Sequence, residues 1–200
     1  MRFLSAFVVT LLAATAAQAH TGAPIGVGGG TGGFAVGFLH PLGGLDHVLA
    51  MVGVGLFACF LGGRSLWLVP VAFVAMMALG GAVGFAGVGL PFVETGIALS
   101  IVVIGGALAL GLSLPAIAAM ALVGAFAVFH GHAHGAEMPV AASGLAYGLG
   151  FLLATALLHG AGLALGFGLD KAAGAASHKL ARAGGAFIGL SGLAILAGVL

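Results

Sequence analysis

Two hundred residues with 62% hydrophobic and 4% charged side chains, and a mean hydropathy of +1.32, stand far outside the soluble globular range, where about a quarter of residues are charged. The composition places the chain in a lipid bilayer. Five basic and four acidic residues leave a net charge of +1, too little to neutralise a phosphate backbone, so nucleic acid is excluded as a partner.

The chain opens with Arg2, an apolar stretch from Phe3 to Ala17 and the triplet Ala17-Gln18-Ala19 before His20. This is the pattern of a signal peptide over residues 1–19, followed by one membrane domain over 20–200. An uncleaved anchor helix is the alternative; the polar, glycine-rich segment from His20 to Gly33 favours cleavage. His20 would then be the new terminus, where an amine and an imidazole alone make a poor metal trap.

Six apolar stretches follow, near 34–61, 66–87, 92–111, 115–133, 142–169 and 183–200. Each is long enough for a hydrocarbon core of about 30 Å. They predict an all-α, polytopic transmembrane bundle of six spans. Starting outside and crossing six times puts residues 62–65, 112–114 and 170–182 in the cytoplasm. Those loops hold Arg64, Lys171, Lys179 and Arg182, and the opposite loops hold no lysine or arginine, as the positive-inside rule requires. Both termini are therefore expected in the periplasm of a bacterial inner membrane. Pro70, Pro91 and Pro115 lie near helix starts, where a missing N–H costs little. The 39 glycines let helix backbones approach closely in lipid. Their Gly-x-x-x-Gly pairs (Gly33/Gly37, Gly80/Gly84, Gly144/Gly148, Gly162/Gly166, Gly185/Gly189) indicate packing without identifying a dimer face, and a homo-oligomer stays open.

Eight histidines make imidazole the place to look for chemistry. The first stretch, about 42 Å long as one straight helix, is interrupted by His40-Pro41-Leu42-Gly43-Gly44-Leu45-Asp46-His47. Pro41 removes an amide hydrogen and the glycine pair loosens the next turn, so the stretch tilts or breaks. An unbroken helix sets His40 and His47 on one face; a broken one sets Asp46 in a first turn, where a carboxylate is favoured.

The fourth span ends in Phe129-His130-Gly131-His132-Ala133-His134-Gly135-Ala136-Glu137. His130, His134 and Glu137 follow an i, i+4, i+7 pattern, two imidazoles and a carboxylate on one stripe, as a divalent metal would use. His132 points elsewhere. The first span enters from outside and the fourth returns there, so both groups converge on the outer leaflet, with His130 about 22 Å above Pro115. Ionisable side chains at such depth default to function. Glu94, at the outer start of the third span, joins the mouth or simply favours the helix N-terminus. His159, in the inner half of the fifth span, is a next station for an ion or a hydrogen-bonded core residue.

The remaining features are bland. Cys59 permits no internal disulfide and packs as a small hydrophobe. Met51, Met76, Met77 and Met120 form no thioether cluster. Trp67 and Tyr147 read as interfacial or packing aromatics. Asp170 and His178 accompany the basic residues of the last loop.

His40-Pro41 through Asp46-His47, Phe129-His130-Gly131 with Ala133-His134-Gly135 and Glu137, and Val93-Glu94-Thr95-Gly96-Ile97-Ala98-Leu99-Ser100 together resemble the HupE/UreJ family. These are small membrane proteins associated with uptake of nickel or cobalt for hydrogenase or urease. The likeness covers essentially the whole mature chain, including a fifth-span histidine followed by Gly160 and Gly162. It implies metal-motif roles for His40, Asp46, His47, His130, His134 and Glu137, and less firmly for Glu94 and His159; His132 sits at a variable position.

The combined expectation is a permease admitting Ni²⁺, or Co²⁺, from the periplasm. Imidazole suits transition metals, whereas Mg²⁺ and Ca²⁺ prefer oxygen shells. His47, His130 and His134 would be ligands, Asp46 a ligand or orienter, and Glu94 and Glu137 attracting charges. No Walker motif is present, so the chain hydrolyses no ATP and is not read as an enzyme. Two alternatives stand beside this. One is a membrane metal-binding accessory protein without transport. The other follows from Gly189-Leu190-Ser191-Gly192, a G-x-S-G match to rhomboid proteases; it lacks a later helix to carry the histidine base, and reads otherwise as a Gly/Ser packing step.

Overall fold

The computed structural model describes residues 32–138 and 143–200; the signal peptide expected over 1–19 and His20 lie outside the described residues. The elements are α1 (Gly32–Gly43), α2 (Leu45–Leu61), α3 (Ser65–Phe85), α4 (Val93–Leu110), α5 (Ala116–Ala136), α6 (Gly144–Ala173) and α7 (Ser177–Leu196). There is no strand among the described residues. A backbone surrounded by hydrocarbon must satisfy its hydrogen bonds internally, which the helix does. Trp67, Phe85, Leu110, Ile117, Leu145 and Leu190 are exposed on the outside of the bundle, a surface suited to lipid.

Four segments are long and apolar enough to cross a membrane, five with α1 and α2 counted as one bent span. The longest, Gly144–Leu196, is α6 and α7 divided by a 3₁₀ turn at Gly174–Ala176. The chain reverses there. On α6, Gly162 faces Val52 and Leu56 while Gly166 faces Cys59, so α6 runs parallel to α2. On α7, Ile188 meets Gly53 and Gly184 meets Leu56, so α7 runs antiparallel to α2. With α1 and α2 taken as one bent pass, the described residues thus contain six passes, as the sequence predicts.

Close approach at glycine builds it. A Cβ on Gly80 would run into the Val128 carbonyl, and one on Gly131 into the Met77 carbonyl, which joins α3 to α5 side by side. Gly105 lies against the backbone of Gly189 and joins α4 to α7. Of the Gly-x-x-x-Gly residues, Gly148 alone has open space at its Cβ position; the rest serve packing within one chain. The enclosed core contains Met51, Val54, Phe57, Phe73, Met77, Ile104, Leu108 and Val123.

Two details refine the expectation. The first stretch breaks rather than tilts: α1 and α2 meet at 82°. Gly44 is extended at the junction (φ −102, ψ 122), and Pro41 lies in the last turn of α1. The 170–182 loop is shorter than expected, because Asp170 and Lys171 belong to α6 and Lys179 and Arg182 to α7. Alanine-rich sequence prolongs both helices, and Lys171 sits in the last turn of α6, where the macrodipole favours a cation. Arg182 Nε donates to the Ala109 carbonyl at 2.9 Å, capping one of the carbonyls that the end of α4 leaves open.

Candidate metal centre

The break at Gly44 turns the start of α2 into the bundle, where it meets the end of α5. Gly131 and Gly135 press α5 against α3, through the Met77 and Gly81 carbonyls, and His130 and His134 are fully buried. The result is a cluster of imidazoles from three helices. Ring centroids lie 4.5 Å apart for His47 and His134, 4.6 Å for His40 and His134 and 5.3 Å for His47 and His130. His134 is the hub.

The hydrogen bonds fix which ring nitrogens are free. Asp46 Oδ1 accepts from the backbone N–H of His47 at 2.9 Å and pairs with His47 Nδ1 at 2.7 Å. A carboxylate only accepts, so Nδ1 carries the proton and Nε2 of neutral His47 is bare. That Nε2 faces Nε2 of His134 within hydrogen-bond reach; His134 therefore donates and its Nδ1, which has no partner, is bare.

His130 is set the same way. The Ser100 hydroxyl spends its one proton on the Ile97 carbonyl at 2.6 Å, so it accepts from His130 Nε2 at 2.9 Å. The unpartnered Nδ1 of His130 is left as a lone pair. Three buried imidazoles each present a basic nitrogen, two of them oriented by a partner behind the ring, which is how proteins prepare histidine to ligate a metal.

The cluster has a rim as well as a floor. One donor atom from each of His40, His134 and Glu137 lies within 4.8 Å of the others, with His40 and Glu137 exposed and His134 buried. Glu137 closes this group from just beyond the end of α5, as the C-cap residue rather than from inside the helix. Donors therefore grade from exposed His40 and Glu137, through His47 and His134, to His130, the most buried.

Among the other residues singled out in the sequence, Glu94 is exposed in the first turn of α4 and makes no ion pair among the described residues. His132 turns away, as its spacing predicts, and its Nε2 donates to the Val88 carbonyl at 2.7 Å, tying α5 to the α3–α4 connection. His159 is buried on α6 beside Phe73, outside the cluster. Ser191 donates to the Phe187 carbonyl at 2.9 Å and has no imidazole partner among the described residues, while the adjacent Gly192 packs on Val102 and Ile101. Its environment is that of a packing step.

Sequence reasoning passed over two neighbours. Ser100 closes the Val93–Ser100 motif, and its signal was a hydroxyl in an otherwise apolar span. Tyr147, expected as an interfacial or packing aromatic, is of the packing kind: it is buried, 6.2 Å from the His40 ring, with a hydroxyl that has no partner among the described residues.

A family model described as HupE / UreJ protein matches residues 8–195. The chain is 43% identical over 192 residues to Protein HupE of Rhizobium leguminosarum bv. viciae, covering 96% of this chain and 97% of that protein. No solved structure matches.

Proposed function

From the premise that the chain belongs to the HupE/UreJ family, we propose that it is a permease for Ni²⁺, with Co²⁺ the alternative cargo, in the bacterial inner membrane. The observation that carries this is the imidazole cluster of His40, His47, His130 and His134, in which donor atoms of His40, His134 and Glu137 lie within 4.8 Å of one another and Asp46 and Ser100 stand behind His47 and His130. Neutral imidazole selects the borderline transition metals and offers little to Mg²⁺ or Ca²⁺.

His40 and Glu137 receive the ion at the exposed rim, with Glu94 adding negative charge from the exposed first turn of α4. His134 and His47 pass it inward, and His130 binds it most deeply. Entry of the ion between His47 and His134 displaces the proton those two rings share, so binding releases a proton. Asp46 offsets the positive charge of the bound ion, which a buried site otherwise tolerates poorly.

The test is initial Ni²⁺ uptake into proteoliposomes holding the full chain. Alanine at His47, His130 or His134 is expected to abolish uptake while the protein still inserts. Binding without uptake in the unaltered protein would favour a metal-holding accessory role, and loss of activity on Ser191→Ala with His130→Ala still active would favour hydrolytic chemistry.

A further inference from the structure

His159 is 1% exposed, and neither of its ring nitrogens has a hydrogen-bond partner among the described residues. An imidazole carries at least one N–H, so burying it unpaired costs free energy that a native fold rarely spends without return. The ring stands edge-on to Phe73, with centroids 5.0 Å apart and planes at 87°. The other ring against Phe73 is that of His130, with centroids 5.6 Å apart. Phe73 thus lies against the deepest imidazole of the cluster and against the orphaned one below it, and is itself fully buried.

The surroundings of His159 continue the pattern. Thr155 precedes it by one turn on α6, Met77 follows Phe73 by one turn on α3, and the Thr155 hydroxyl donates to the Met77 thioether at 3.7 Å. A hydroxyl oxygen and a thioether sulfur thus meet one turn from the imidazole where the bundle is otherwise apolar, donor types suited, with the imidazole, to a borderline transition-metal cation and poor for Mg²⁺.

We infer that His159 is a second holding position for the transported cation, and that the Phe73 ring is the partition between it and the His47, His130 and His134 cluster. This rests on the transport reading above. An apolar ring across a narrow path blocks a hydrated ion, while its π-face attracts a cation that has shed water, so rotation of one side chain opens the way. Two positions in series also allow tight capture at the first without preventing release, since the second competes for the ion.

Accessibility tests the partition without requiring transport. In sealed vesicles, a membrane-impermeant methanethiosulfonate is applied from the His40 face to protein carrying His159→Cys with Cys59→Ala. With Phe73 present the thiol should react slowly, and Phe73→Ala, or Phe73→Leu if the smaller residue prevents insertion, should speed labelling by about tenfold. Equal rates overturn the partition. In proteoliposomes, His159→Ala should lower the maximal Ni²⁺ uptake rate by about tenfold while the Ni²⁺ concentration that half-saturates uptake, set by capture at the outer cluster, stays within about threefold, a split that loss of packing would not produce. An unaltered maximal rate overturns the second position. Normal uptake after alanine substitution of His47, His130 and His134 would instead remove the outer cluster, a separate failure that the labelling rates identify as such.

Discussion

Two side chains in the metal centre work through others. Asp46 and Ser100 each touch the back of an imidazole and so decide which nitrogen is bare. Replacing such partners typically costs about 10–100-fold in metal affinity. Ser100→Ala should therefore weaken Ni²⁺ binding within that range, measured by equilibrium titration of the purified protein, with insertion unchanged. His178→Ala, an exposed ring against Phe60 at the opposite end, should bind as the unaltered protein does; equal losses in both variants would contradict the assigned role of Ser100. The histidines were legible in the sequence because imidazole is conspicuous in an apolar run. Ser100 was not, because its meaning depends on a partner 30 residues away that only the packing of α4 on α5 supplies.

At the level of elements, the junction of α1 and α2 contains two adjacent glycines with different duties. A Cβ at Gly43 would meet nothing within 4 Å, whereas one at Gly44 would stand 2.6 Å from Asp46 Oδ1 and 2.9 Å from His47 Nδ1. Gly44→Ala should push apart the pair that fixes the His47 tautomer and lower Ni²⁺ uptake by about tenfold or more, while Gly43→Ala leaves it near normal. Equal effects, read in the same proteoliposome assay, would mean that the bend tolerates bulk and the pair is not held by it. Sequence reasoning found the weak point from Pro41 and the glycine pair, because both remove helical constraints locally. It could not choose between tilt and break, since an 82° turn is stabilised by what α6 offers α1: Gly37 lies against the Tyr147 carbonyl and Gly150 against that of Phe34. The extent of the last loop was misjudged for a related reason. Charged residues marked it as a connection, yet Asp170 and Lys171 lie at the end of α6 and Lys179 and Arg182 in the first turns of α7, with Lys171 alone placed where the macrodipole favours its charge.

Across the whole molecule, charge and chemistry separate to opposite ends. Arg64, Lys171, Lys179 and Arg182 gather where α2, α4 and α6 finish and α3 and α7 begin, while the imidazole cluster lies toward the other end. On the transport reading proposed above, the positive-inside rule orients the cluster outward and puts Leu200, beyond the end of α7, on the same side. A reporter fused after Leu200 should be active in the periplasm; a cytoplasmic signal would invert the direction of transport proposed here. That orientation exposes the cluster to external pH, and the consequence follows from what imidazole must do. It ligates as the neutral base, so protons compete with the ion. Competition strengthens as external pH falls, so uptake should decrease as the medium is taken from about pH 7.5 toward about 5.5. Carboxylates alone, with ordinary values near about 4, would stay ionised over that interval and give a flat profile. Competitors separate the same two cases. Zn²⁺, Co²⁺ and Cu²⁺ should inhibit Ni²⁺ uptake, whereas excess Mg²⁺, which holds its water and prefers oxygen, should not. Initial rates against external pH at fixed membrane potential, with and without each competitor, measure both. A flat profile together with strong Mg²⁺ inhibition would move the ion from the imidazoles to Asp46, Glu94 and Glu137 and overturn the assignment of His47, His130 and His134.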